Sequence, residues 1–360
     1  AGAILIVGWM HAAVGSESTA FATDLQRLLD DGHCPRCNLE GADLSGMRLM
    51  STDLSGSNLR GTKLRKAVLF RANLSGADLR DADLEKASMG RINLSGANLS
   101  NLNLSGARLV HAELRNARLS GSNLSNSTLD HSDLRGADLT GATLAGASLR
   151  HANLDNTTLN ATDMSGADLR ELDLRRVSGL RYASLKQARL DQTRLDGLNL
   201  SSVLFDEASM LRTGLTAANL SGGSMVGVNL SKADLSLANL EGVDLRGAQI
   251  TGAKLRGAML NSSNLERASI GGDLIGADFS NGRLTQADLS GANLKDARFR
   301  NADLRQANLS SSNLYAADFT GARLQRANFE QANLRKTVFT GAQVTGTALN
   351  QTVITVPTRN

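Results

Sequence analysis

The sequence predicts an all-β solenoid, a parallel β-helix closed at its N-terminal end by a short α-helix. Three observations carry this. An apolar residue, usually Leu, recurs every five positions from Leu39 to Ile354. Phe279, Phe299, Phe319 and Phe339 all fall on that repeat, twenty residues apart. Only 3% of the 360 residues are aromatic and 2 are Pro, while Leu and Ala carry most of the apolar weight. That balance is too poor in large side chains for a conventional globular core and directs attention to repeats.

A period of five fits neither a helix nor a simply alternating strand. Within each repeat, the central Leu and the residue two before it share a parity, so both point inward. The other three positions face water. Four Leu per layer leave little interior room, which accounts for the Ala, Ser or Thr two before each centre. The Gly often found two after the centre suits a corner with unusual dihedrals. The phenylalanine interval independently implies a twenty-residue coil, because only such a coil stacks the four rings on one inner face.

The stretches "ADLSG", "TDLSG", "ANLSG" and "ADLRD" show the unit as small, polar, Leu and two further residues. This A-[D/N]-L-x-x pattern closely resembles the tandem pentapeptide-repeat family, over nearly nine-tenths of the chain. The resemblance implies a right-handed quadrilateral β-helix with four repeats to each square coil. About sixty-four repeats then make about sixteen coils, a rod roughly 75–80 Å long at about 4.8 Å per coil. The expected organisation is a segment at 1–22, a capping helix and C-x-x-C motif at 23–36, the β-helix at 37–356 and a tail at 357–360. Two register breaks interrupt the repeat. Leu174 to Leu180 spans six residues through 177–180, and Ile270 to Leu274 spans four through 271–274. A bulge at the local Gly residues is expected to absorb each slip.

Residues 1–22 have an apolar first half and end in Ala20-Phe21-Ala22, which reads as a cleaved signal peptide or a retained membrane anchor. The expected location is therefore the periplasm or thylakoid lumen, or the cytoplasm if this segment is not a signal. In the capping helix, Thr23 and Gln26 form a T-x-x-Q capping box, Leu25, Leu28 and Leu29 make an apolar stripe, and Gly32 is the stop. Cys34 and Cys37 are candidates for a short-loop disulfide, with free thiols as the alternative. Helix followed by C-x-x-C-N-L is similar to exported cyanobacterial members of the family. At the other end, no charged residue separates Lys336 from Arg359. Phe339, Val344, Leu349 and Ile354 therefore mark a candidate edge for a homodimer or another protein. Family members that act on gyrase dimerise at this end.

The net charge is +4. Residues 277–360 hold ten Lys/Arg against six Asp/Glu, and Arg298, Arg300, Arg305, Arg323, Arg326, Arg335 and Lys336 form a candidate basic patch. His111, His131 and His151 lie two after their centres, so stacking places them in one outward column. The column is a by-product of the repeat, a weak divalent-metal site, or a pH-responsive ladder whose charged rings repel. No catalytic constellation, phosphate loop or metal motif is present, and no cofactor is expected. The best-known family activity is DNA mimicry against gyrase, which needs a strongly acidic rod. The basic balance and dispersed cations disfavour both that activity and direct nucleic-acid binding. The expected function is a non-enzymatic scaffold or spacer binding a protein partner, with a regulatory DNA mimic as the alternative.

Overall fold

The computed structural model describes residues 16–352. Most centres donate their backbone N–H to a carbonyl on the next coil, as Leu39 does to Asn58 (2.8 Å) and Leu44 to Lys63 (2.8 Å). Away from the register breaks, the residue before a centre pairs in parallel with its equivalent twenty positions on. Asn38, Asp43, Arg48 and Asp53 pair with Asn58, Lys63, Val68 and Asn73, so each coil has four sides. The chain is thus a β-helix built from single bridges rather than long strands.

The turn chemistry explains the repeat. Ala42 N donates to Leu39 O (3.1 Å), closing a four-residue turn at the corner, and the same bond recurs from coil to coil. The third turn residue, two after the centre, has positive φ, from Gly41 (φ 72) to His111 (φ 58) and Ala161 (φ 54). That sign pattern belongs to a type II turn, which favours Gly or Asn there. The Asp or Asn before each centre has its own task. Its Oδ1 accepts the N–H two residues on, as from Ser45 to Asp43 (3.1 Å) and Ser75 to Asn73 (3.2 Å). Where Asp or Asn is present, the side chain therefore ties down the start of the corner.

Inside, nearly all the centres as far as Leu334 and the small residues two before them are buried. Most inward hydroxyls find backbone acceptors, as Thr157 Oγ1 does at Leu134 O (2.8 Å), whereas those of Ser127 and Ser132 are buried without one. Phe279, Phe299 and Phe319 stack with centroids 4.9 and 4.7 Å apart, and Phe339 continues the stack at 5.3 Å. Phe329 meets Phe319 edge-on.

Helix α1 spans Ser16–Asp31. It begins well before Thr23, so the expected capping box lies inside the helix rather than at its start. No Gly or Pro interrupts "SESTAFATDLQRLLDD", and Ala20 and Ala22 favour continuation. The buried stripe also differs. Phe21, Leu25 and Leu28 pack on the core, whereas Leu29 is exposed, because the i, i+4, i+7 set starts one turn earlier. Gly32 ends the helix with φ 69, its N–H reaching Leu28 O. The first rung is His33 with Asp53, and Cys34 fills a centre, one repeat before Leu39. Asp24 of α1 accepts the edge N–H of Asn38 (2.8 Å), satisfying a donor that has no preceding coil.

Both register breaks are absorbed locally. At the first, Ser178 still pairs with Thr158, Gly179 bulges out with φ 71, and Leu180 takes the inward place. The next rungs step by one extra residue, from Asp163 to Ser184. At the second, β1 (Gln249–Lys254) pairs with β2 (Ser269–Asp273), and the register slips between Ile250 and Ala253. Gly272, with φ 120, stands where Ala253 stands one coil earlier. An added Cβ there would meet the Ala253 backbone carbonyl and its N at 2.9 Å.

Two expectations follow for stability. Gly141 and Ala161 occupy one corner column, and nothing lies within 4 Å of an added Cβ at Gly141. Gly141→Ala is expected to destabilise by about 1 kcal/mol and Ala161→Gly to stabilise by a similar or smaller amount, read by urea denaturation. Gly272→Ala is expected to be far worse, on the order of 3 kcal/mol or more, because its obstruction is backbone.

Candidate interaction surfaces

The stacked coils turn sequence intervals of twenty into columns, and each predicted residue finds its place on one of them. His111, His131 and His151 form an exposed corner column with ring centroids 4.9 and 4.8 Å apart and interplanar angles of 20° and 21°. Nitrogen lone pairs lie in the ring plane. Near-parallel rings at this spacing direct them side by side, not onto one ion at about 2.0–2.1 Å from each nitrogen. The column therefore follows the coil period without forming a metal centre as it stands.

Cys34 and Cys37 are joined in a disulfide beneath α1, with Cα atoms 5.5 Å apart and both residues buried. Asp24 O lies 3.2 Å from Cys34 Sγ, and Arg27 Nη1 lies 3.9 Å from Cys37 Sγ. The bond closes the turn that joins cap to coil. Asp24 and the two sulfurs are the one group of metal-ligand types drawn together among the described residues. In the disulfide the sulfurs are not thiolates, so they lack the ligand form.

The C-terminal edge is only partly described, since Ile354 and the tail lie outside the described residues. Phe339 is half-buried, whereas Val344 is 49% and Leu349 46% exposed, although both hold inward positions. They are uncovered because none of the described residues forms a further coil above them.

The seven basic residues near this end do not make one patch. Arg298 and Arg300 flank the Phe299 side, Arg305, Arg323 and Arg326 belong to the Leu304 and Leu324 side, and Arg335 with Lys336 follow Leu334. Several are already engaged. Arg300 Nε donates to Asp318 (2.5 Å), Arg305 forks onto Asp303 (2.8 and 2.7 Å), and Arg298 lies 3.8 Å from Asp278. Lys336 lies over the Tyr315 ring at 5.2 Å. Proximity in sequence scattered them because five residues carry the chain around a corner.

The fork at Asp303 is a recurring device. Wherever the repeat reads Asp-Leu-Arg, the guanidinium turns back on the carboxylate two residues earlier. It does so at Asp78/Arg80, Asp133/Arg135, Asp168/Arg170, Asp173/Arg175 and Asp244/Arg246. The Arg135 fork, helped by Arg115, holds the Asp133 carboxyl well below the usual carboxylate range. The Arg175 fork lowers Asp173 to about 2.

One depression was not foreseen. A shallow cleft of about 410 Å³ is lined by Ala152, Asn153, Leu154, Asp155, Asp173, Arg175 and Arg176. It opens where the ladder lacks a rung, since Asn153 pairs backwards with Asp133 and has no paired residue ahead. The inserted Gly179 displaces this side, so the register break was the available signal. Ion pairs fill its floor, with Arg175 on Asp173 (2.6 Å) and Arg176 near Asp155 (3.5 Å).

Eight copies of a model described as pentapeptide repeats match between residues 35 and 261, and a pentapeptide repeat region model matches 273–349. No curated protein matches the chain. Among solved structures, HetL, a pentapeptide repeat protein involved in heterocyst differentiation regulation from the cyanobacterium Nostoc sp. strain PCC 7120, is 30% identical. That match covers 72% of this chain and 98% of HetL, with a TM-score of 0.34. A pentapeptide repeat protein from the Arabidopsis thaliana thylakoid lumen is 28% identical over 35% of this chain and 70% of its own, with a TM-score of 0.17. QnrB1, a plasmid-mediated fluoroquinolone resistance protein, is 17% identical over 62% of this chain and 94% of its own, with a TM-score of 0.27.

The forks set a pH dependence. Asp133 and Asp173 titrate lower in the folded chain, so the unfolded chain binds protons first as the pH falls. Their stabilisation is complete above about pH 4 and is lost on acidification, towards about pH 2 for Asp173 and lower still for Asp133. The Asp133→Asn, Asp173→Asn double variant is expected to lower the urea midpoint at neutral pH and to flatten the acid-side decline.

Proposed function

The chain belongs to the pentapeptide-repeat family, and from that premise we propose that it is a non-enzymatic scaffold. It acts as a rigid spacer, a right-handed β-helix of about sixteen coils, that displays protein-binding faces at fixed separations. The observation that carries this reading is the twenty-residue ladder from His33 to Ala348, which fixes every outward side chain relative to its neighbours. The depression beside Asp155 and Asp173 is shallow and occupied by its own ion pairs, which favours surface contact over chemistry there.

We place the protein outside the cytoplasm, in the periplasm or thylakoid lumen. Two features support this, the signal-like segment at 1–22 and the Cys34–Cys37 disulfide, which suits an oxidising compartment. Residues 1–22, if retained, would hold the rod at a membrane. No helix among the described residues is long and apolar enough to cross one. The uncovered Val344 and Leu349 support a homodimer or partner contact at the C-terminal coil. A DNA-mimic role is the second reading, and the net charge of +4 works against it.

Cell fractionation with N-terminal sequencing, run beside a gyrase supercoiling assay, tests both readings. The expected outcome is a non-cytoplasmic pool trimmed within residues 1–22 and unaltered supercoiling. A wholly cytoplasmic pool would overturn the placement, and dose-dependent loss of supercoiling would replace the scaffold with the mimic.

A further inference from the structure

One side of the rod departs from the others in its first four coils. Its outward residues are Arg48, Met50 and Ser51, then Val68, Phe70 and Arg71, then Ser88, Gly90 and Arg91, then Arg108, Val110 and His111. Arg48, Val68, Ser88 and Arg108 pair in one unbroken ladder, so these residues share a face. The face holds four arginines and no carboxylate. The other three sides of the same coils carry Asp43, Asp83 and Glu85, or Asp53 and Glu113, or Asp78 and Asp81. The arginines also lack carboxylate partners among the described residues. Arg80, Arg135 and Arg175 fold back on their own Asp, whereas among the described residues no ion pair engages Arg48, Arg71, Arg91 or Arg108.

Between these cations runs an apolar strip of Met50, Phe70, Gly90 and Val110. The Phe70 ring lies against Gly90, where an added Cβ would sit 3.2 Å from Cδ2, and Arg71 covers the ring at 5.4 Å. Met50 is 46% exposed. The strip ends at Asp130, the next residue in its column, which is bonded to Ser148 and the Arg150 N–H.

We propose that this face, from Arg48 to Val110, docks an acidic protein segment that also carries apolar side chains. The proposal rests on the scaffold reading above and names one of its binding faces. Charge complementarity selects an acidic partner, since four desolvatable guanidiniums with no internal carboxylate offer bidentate sites to Asp and Glu. Four coils at about 4.8 Å match an extended segment of about five or six residues. Flatness selects protein over membrane, because Phe70 lies down on Gly90 and does not project, whereas bilayer insertion needs apolar groups reaching about 5–10 Å into the headgroup region. A single flattened ring provides no succession of stacking partners for nucleic-acid bases.

The test is titration of the whole chain against a fluorescein-labelled peptide in which Glu alternates with Leu. Parallel titrations use an all-Glu peptide, phosphatidylcholine vesicles containing phosphatidylglycerol, and oligothymidylate. The alternating peptide is expected to bind best and to weaken with added salt. Arg71→Glu with Arg91→Glu is expected to lower its affinity by at least about tenfold, and Phe70→Ser to lower it by a smaller factor. Glu171 and Glu207 already occupy equivalent corners with φ 64 and 58, so the fold accepts Glu there. Arg212→Glu with Arg326→Glu, at corners with φ 57 and 61, is the matched control and should change affinity by less than about twofold. Absence of saturable binding at low salt, equal loss in the control, or preference for the vesicles or oligothymidylate would each overturn the proposal. Failure here leaves the fractionation and supercoiling outcomes untouched, so the two readings fail separately.

Discussion

Everything in this rod depends on one backbone hydrogen bond, from the N–H of each inward centre to a carbonyl one coil further on. Cys34 to Asp53 is the first of a long series, most near 2.8 Å. The bond runs along the rod, so every coil is the template for the next. It also leaves each terminal coil with donors or acceptors that its own residues cannot satisfy. At the N-terminal end, α1 resolves this with a side chain, the Asp24 carboxylate standing in for a missing carbonyl at Asn38. The same bond sets the spacing of the phenylalanine and histidine stacks, which differ only in facing inward or outward.

The fold was legible because its determinants are local. Five residues specify an inward Leu, a small inward companion, an Asp or Asn tying the corner, and a corner residue with positive φ. The twenty-residue interval of Phe279, Phe299, Phe319 and Phe339 then supplies the number of sides. What escaped was decided by contacts that a five-residue window does not contain. The start of α1 is set by an unbroken run of helix formers and not by the attractive cap at Thr23. Cys34 hides as a centre because it is not Leu. The apparent basic cluster near the C-terminal end dissolved because neighbours in sequence lie around a corner from one another. The arginine face at Arg48 to Arg108 is invisible until positions are sorted by twenty.

The charges illustrate how a repeat can neutralise itself. An Asp-Leu-Arg unit brings its own counter-ion, and the guanidinium reaches the carboxylate without leaving the side it belongs to, as at Arg170 and Asp168. Such pairs are largely exposed and individually contribute little. Their larger effect is to remove arginines from the pool available to a partner. The basic excess available for recognition is therefore set by which arginines lack a carboxylate both two residues earlier and on the neighbouring coil, where Arg115 and Arg300 find theirs, and these are unevenly distributed among the sides.

The bulge at Gly179 and the contraction at Gly272 have opposite signs, one residue gained and one lost. The block between them is thus written in a shifted reading frame relative to the two blocks that flank it, although all three share one interior. Within any block, whole coils are interchangeable units, and lengthening or shortening by duplication leaves inside and outside intact. An exchange that crosses only one of the two glycines would turn leucines to water and aspartates to the core. These two glycines therefore act as punctuation, confining the growth of the rod to recombination within blocks.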